Sequence, residues 1–111
     1  MSTFTIKKGD TLPILAVVLK DGAGTPIDVS TASSKTFRMR KSDANPHVLK
    51  VNKAAAFTTD GSDGAVQVAL SASDTDTPGD YLGEFVIVIG SDTQTFPSAD
   101  YINIKVVDVV A

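Results

Sequence analysis

The chain has 111 residues, 42% of them hydrophobic and 21% charged, with a net charge of −3 and neither cysteine nor tryptophan. That balance is too apolar for a disordered chain and suits one hydrophobic core, so residues 1–111 are read as a single domain. Its apolar runs fall short of the ~20 residues a membrane helix needs, its acidic balance disfavours a nucleic-acid surface, and the lack of cysteine excludes disulfides, thiolate zinc sites and cysteine nucleophiles. Met1-Ser2-Thr3-Phe4 has no basic segment followed by an apolar one, so no secretory signal is expected and the chain is expected to stay in a cytosol.

In chain order, Phe4 and Ile6 alternate with Thr3, Thr5 and Lys7, the period-2 pattern of a first edge strand, and Lys8-Gly9-Asp10 turns the chain. Ile14 to Leu19 reads as a second core strand, preceded by Pro13, which lacks a backbone donor. Asp21-Gly22-Ala23-Gly24-Thr25-Pro26 is a hairpin-like connection, and Ile27 and Val29 are expected to begin a short strand. After the polar Ser30 to Ser34, Thr36 to Lys41 places Phe37 and Met39 on one face and Arg38 and Arg40 on the other, which should be wet.

Ser42-Asp43-Ala44-Asn45-Pro46 is a turn cluster, and Val48 to Lys53 is a short strand in which Val48 alternates with Leu49 and Val51. Ala54-Ala55-Ala56 favours helix but is too short to form one alone, so its state stays open. Asp60-Gly61-Ser62-Asp63-Gly64 is a tight turn before Ala65 to Leu70, where Val66, Val68 and Leu70 share a face. Ser71 to Asp76 is expected to form one helical turn, with Ser71 as its N-cap and Asp74 near the positive end of the dipole.

The stretch from Asp76 to Ile89 organises the rest: a turn built from Asp76, Pro78 and Gly79, then Tyr81, then the unbroken apolar run Phe85 to Ile89 of a central strand. Immunoglobulin-like sandwiches place a tyrosine after such a turn, its hydroxyl bonding back across the corner between two sheets, and Gly83 stands where those domains commonly carry cysteine. Asp76, Gly79 and Tyr81 are therefore the candidate structural corner. Gly90-Ser91-Asp92-Thr93 is a hairpin turn, Phe96-Pro97-Ser98 interrupts the returning edge, and Tyr101 to Val109 is the last strand. Seven to nine short strands with regular turn signals and no amphipathic helix make an all-β, immunoglobulin-like antiparallel β-sandwich the expected fold.

Candidate chemistry is sparse. His47, the one histidine, would have to be the general base of any serine or threonine triad, yet it follows Asn45-Pro46 in a loop where solvated histidines are the common case. Asp60 to Gly64 resembles a calcium loop, but the bidentate acid expected at its twelfth position would be Ser71, which cannot serve. Asp74, Asp76 and Asp80 make a second acidic group, in which Asp74 is explained by helix-end electrostatics and Asp76 by the turn, and Gly22-Ala23-Gly24 lacks the third glycine and following helix of a phosphate loop. No catalytic, cofactor-binding or metal residue is assigned, and no enzymatic activity is expected. Contact surfaces are better marked. Arg38, Arg40 and Lys41, with Lys35 close in sequence, form a basic row on the wet face of one strand that is either solvated or a docking surface for an acidic protein. Val86 and Val88 oppose Phe85, Ile87 and Ile89, while Ile14, Ala16 and Val18 oppose Leu15, Val17 and Leu19, so two strands are apolar on both faces. That pattern points to a covering element or a subunit interface, with Val86, Val88, Arg38 and Arg40 as its candidate residues.

Lys8-Gly9-Asp10-Thr11, Asp21-Gly22 with Thr25-Pro26-Ile27-Asp28-Val29, Phe37-Arg38-Met39-Arg40, Gly64-Ala65-Val66, Asp74-Thr75-Asp76 with Pro78-Gly79-Asp80-Tyr81 and Phe85, and Thr95-Phe96-Pro97 form a series across nearly the whole chain. As a set it resembles the immunoglobulin-like domain at the N-terminus of phage baseplate upper proteins and related small tail-associated proteins of tailed bacteriophages. The resemblance implies a virion structural part without enzymatic activity that attaches receptor-binding or fibre components to the tail. The expected partners are therefore other virion proteins, with a homo-oligomer as the alternative that the doubly apolar strands raise; no nucleic acid, membrane or cofactor is expected, and assembly is expected in the host bacterial cytoplasm. The sequence ends at Ala111 without a coiled coil or receptor-binding module, which also suits a stand-alone ring or decoration subunit. The competing expectations are a head-decoration or neck protein and a carbohydrate-binding module, the latter disfavoured by two Tyr, five Phe and no Trp.

Overall fold

The structure, a computed structural model, describes residues 3–12, 14–21, 23–42, 49–96 and 101–110. Among them are nine strands and no helix: β1 (Thr3–Lys7), β2 (Leu15–Val18), β3 (Ser34–Lys41), β4 (Leu49–Ala54), β5 (Ala56–Phe57), β6 (Ala65–Val68), β7 (Gly79–Ile89), β8 (Asp92–Phe96) and β9 (Ile102–Val107). They form two sheets, one in the order β1-β9-β7-β3-β4 with β8 also on β7, the other in the order β2-β6-β5. The fold is all-β and has the two-sheet build of a β-sandwich.

β7 is the axis of the larger sheet because its apolar run can be covered on both edges. One edge carries β3, paired from Ser34↔Val88 to Lys41↔Tyr81, and the other carries β9 along Gly79–Gly83 and β8 along Phe85–Ile89. Period-2 alternation then sorts its residues. Tyr81, Phe85 and Ile87 turn into the core, where Phe85 packs against Phe37 of β3 with ring centroids 5.1 Å apart and the ring planes tilted by 51°. Both rings are fully buried, and burying each stabilises the fold by about 1.5–3 kcal/mol relative to exposure. Val66 and Val68 of β6 and Leu15 of β2, with Leu19 and Leu70 just beyond those strands, supply the facing layer of the same core cluster.

The open question at Ala54-Ala55-Ala56 resolves into a change of sheet. β4 ends at Ala54 in the larger sheet, β5 begins at Ala56 in the smaller one, and the Ala55 N–H between them bonds the Lys35 carbonyl at 2.9 Å. Small side chains let the strand pass between sheets without breaking core packing. Lys35 closes the crossing, its ammonium 4.3 Å from the Phe57 ring centroid.

Several expectations are corrected. Ile27 and Val29 do not begin a strand: Lys20 and Pro26 make an isolated bridge, after which the Ile27 N–H turns to the Leu19 carbonyl and the Val29 N–H to Gly61. Proline removes one ladder donor and the other amides are taken by loops, yet Val29 still plugs the core, fully buried. Ser71 to Asp76 is a turn, not a helix: the Asp74 N–H bonds the Ser71 carbonyl at 3.0 Å, the Asp74 carboxylate accepts the Ser71 N–H at 2.8 Å, and the Ser71 hydroxyl meets Ser73 instead of capping a backbone donor. The last strand is Ile102–Val107, shorter than expected. Leu49 and Val51 do not share a face, since the β3–β4 register shifts between Met39 and Arg40. This bulge sets Leu49 opposite Arg40 and exposed, while Val51 stays buried opposite Met39. Asn45, Pro46, His47, Val48, Pro97 and Ser98 lie outside the described residues.

Candidate functional site

Four candidate contact residues meet on one surface, the face of the larger sheet turned away from the core. Pairing of β3 with β7 sets Arg40 opposite Leu82, Arg38 opposite Glu84, Thr36 opposite Val86 and Ser34 opposite Val88. Since Phe37 and Phe85 point inward, this row points outward. β9 adds Asn103 beside Leu82 and Lys105 beside Asp80, and β1 adds Thr3 and Thr5 beyond them.

Toward the end of β3 the face holds a shallow groove of about 170 Å³ lined by Arg38, Arg40, Leu49, Leu82, Glu84 and Tyr101, with Met39 at its floor. The bulge in the β3–β4 pairing creates its apolar wall by carrying Leu49 outward, where it is 45% exposed. Tyr101 forms another wall, its ring 5.9 Å from the Arg40 guanidinium, within cation–π range. Two cations, the Glu84 carboxylate opposite one of them, and a tyrosine surround the exposed Leu49 and the partly exposed Leu82, so the groove offers a partner both charged hydrogen-bonding groups and an apolar wall. Sequence reasoning found Arg38 and Arg40 from alternation but missed Leu49, Leu82 and Tyr101, because their convergence depends on the bulge and on pairing between distant strands.

Lys41 of the expected basic row, and Lys35 near it in sequence, do not belong to this face. Lys35 and Lys41 are in register with Ile87 and Tyr81, so they turn toward the opposite side of the sheet from Arg38 and Arg40. Val86, by contrast, does lie on this face. It is only 7% exposed within the chain, flanked in register by Thr36 and Thr95, so a partner would gain little new burial there. Val88 is half-buried.

The corner residues sit at the other side of the sheet. The Tyr81 hydroxyl donates to the Thr77 carbonyl at 2.7 Å, and burial pushes the phenol above its usual range. Asp76 accepts Lys50 and the Thr77 hydroxyl, which hold its carboxyl below the ordinary value. Burial raises Asp74, but the Lys53 ammonium at 2.6 Å and the Ser71 N–H outweigh it and leave the group low. Gly79 opens β7 with φ +150°, and a Cβ there would press on the Lys41 side chain at 3.2 Å. These contacts hold the corner together and leave its carboxylates engaged.

In the calcium-like loop, the Asp60 carboxylate accepts the N–H and hydroxyl of Ser62, and Asp63 accepts the Ala65 N–H and the Thr59 hydroxyl. Their oxygens serve the loop's own donors. No cluster of three or more metal-ligating side chains occurs among the described residues. Comparisons with protein-family models and with curated proteins find no match to this chain.

Proposed function

We propose that the chain is an immunoglobulin-like β-sandwich acting as a non-enzymatic structural or adaptor protein of a bacteriophage virion, at the tail or baseplate, through protein–protein contacts. Strand order supports the fold assignment: β2, β6 and β5 correspond to strands B, E and D, and β4, β3, β7 and β8 with β9 to C′, C, F and G. β1, parallel to β9, takes the place of a first strand that crosses to the G edge. The Tyr81 hydroxyl bond to Thr77 is the corner such domains use.

The outward face carries the functional reading. Arginine and tyrosine around partly exposed leucines are the residue types enriched where protein interfaces concentrate their energy, and here they converge on one groove. A sugar-binding platform would stack rings on several exposed aromatics, whereas among the described residues Tyr101 is the one aromatic lining this groove. The test is the composition of gradient-purified phage particles by mass spectrometry, with antibody labelling in electron micrographs. The chain is expected in the particles with label on the tail, and Arg38→Glu with Arg40→Glu is expected to prevent incorporation. Label on the head or neck would move the role there. Absence from particles would overturn the virion assignment.

A further inference from the structure

We infer that the open edge of β2 is a site of strand addition and that its occupant is β2 of a second copy, paired antiparallel about a two-fold axis. The inference deepens the protein-contact reading above and rests on it. β2 ends the smaller sheet, so no strand among the described residues pairs with its outer side. β2 pairs with β6 through Leu15↔Val68 and Val17↔Val66, and the Leu19 N–H continues this pattern to the Gly64 carbonyl at 2.8 Å. Odd-numbered residues thus direct their amides to β6, and by alternation Ala16 and Val18 direct theirs outward. Only an extended segment can meet such donors and acceptors in series.

The other edges carry features that deter pairing. β1 ends in Lys7, β4 carries Lys50, Lys53 and the bulge, β8 begins Asp92-Thr93-Gln94, and β5 is two residues long. β2 reads Leu-Ala-Val-Val without charge or proline, and around it Leu12, Ile14 and Val18 are 66%, 40% and 46% exposed. β1 does not close over it: a cleft of about 440 Å³, lined by Phe4, Leu15, Val17 and Ile102 among others, lies between the two strands.

Identity of the occupant follows from charge and register. An uncharged strand meets its own copy without like-charge repulsion, whereas a charged partner strand would lose hydration along Ile14 to Val18. A two-fold axis through Val17 sets Ala16 of each copy opposite Val18 of the other. Their outward amides then form hydrogen-bonded pairs, and Ile14 lies beside the aliphatic stem of Lys20. So short a ladder buries less than the ~1,200 Å² typical of stable complexes, so the dimer is weak and concentration-dependent.

Light scattering after size exclusion across a concentration series tests this, with wild type, Val18→Lys and Ala16→Pro. Both positions are exposed, and proline at 16 removes only an outward donor. Wild type is expected to climb toward twice the monomer mass while both variants stay monomeric with unchanged circular dichroism. Amide exchange on wild type provides a readout free of any variant: Ala16 and Val18 are expected to gain protection at high concentration. A monomeric wild type, variants that associate like wild type, or β2 amides indifferent to concentration would each overturn the inference. Association lost only in the Arg38→Glu, Arg40→Glu variant would overturn it too, while leaving the contact-face reading intact.

Discussion

A Cβ on Gly83 would lie 2.6 Å from the Ile104 Cδ1 and 3.0 Å from the Phe37 ring. The ile tip can swing but the ring is locked against Phe85, so Gly83→Ala is expected to cost about 1–3 kcal/mol through overpacking. Gly64 is constrained harder, with φ +75° and backbone carbonyls of Leu19 and Ile27 at 2.7 and 2.8 Å from a Cβ. Carbonyls in a loop ladder have less room to yield than a side-chain tip, so Gly64→Ala should lose more stability than Gly83→Ala in parallel urea titrations. At the corner, Tyr81→Phe removes the bond to Thr77 and should cost about 1 kcal/mol. Asp74 gives the pH-dependent case. Its folded pKa lies below the unfolded value of about 3.9, so its contribution is fully present above that value and is lost as pH falls through the folded pKa. Asp74→Asn should therefore be less stable than wild type by about 1–2 kcal/mol at neutral pH, with the gap closing as the solution is acidified below pH ~4. A gap that persists at low pH would mean that the carboxylate charge is not what matters.

Among the elements, alternation alone was enough to sort β3, because Phe37 and Met39 inward and Arg38 and Arg40 outward follow from period 2. The run Phe85 to Ile89 likewise revealed β7 as the central strand. What alternation could not reveal was any feature requiring knowledge of the neighbouring strand. The register shift that exposes Leu49, the change of sheet at Ala55 and the covering of Val86 by its flanking strands all arise from pairings between residues far apart in sequence. The groove was half legible for the same reason: its cations lie on one strand, its apolar walls on others. Val86 turns this difference into a measurement. A purely external contact residue would accept charge without loss of stability, but Val86 is buried in the single chain. Val86→Glu should destabilise the monomer by about 1–3 kcal/mol in urea unfolding, while Val88→Lys at its half-buried neighbour should cost less.

Across the whole molecule, the sheet is closed by its two ends. β1 pairs with β9 from Thr3↔Asn103 to Lys7↔Val107, residues 100 apart in sequence, whereas Met39 and Val51 of β3 and β4 are 12 apart. Joining the ends before other structure exists costs roughly 2 kcal/mol more loop entropy than closing the β3–β4 pair. Nothing local repays that cost early, since β1 is five residues long and brings one fully buried side chain, Ile6, to the core. β1 should therefore dock after the folding barrier, once β7 and β9 have formed a surface to receive it. Ile6→Ala is expected to destabilise by about 2–5 kcal/mol and to do so almost entirely by speeding unfolding, whereas Met39→Ala should also slow folding. Stopped-flow folding and unfolding limbs for the two variants decide the matter. A folding rate slowed as much by Ile6→Ala as by Met39→Ala would place the chain ends in the nucleus and reverse this order of assembly.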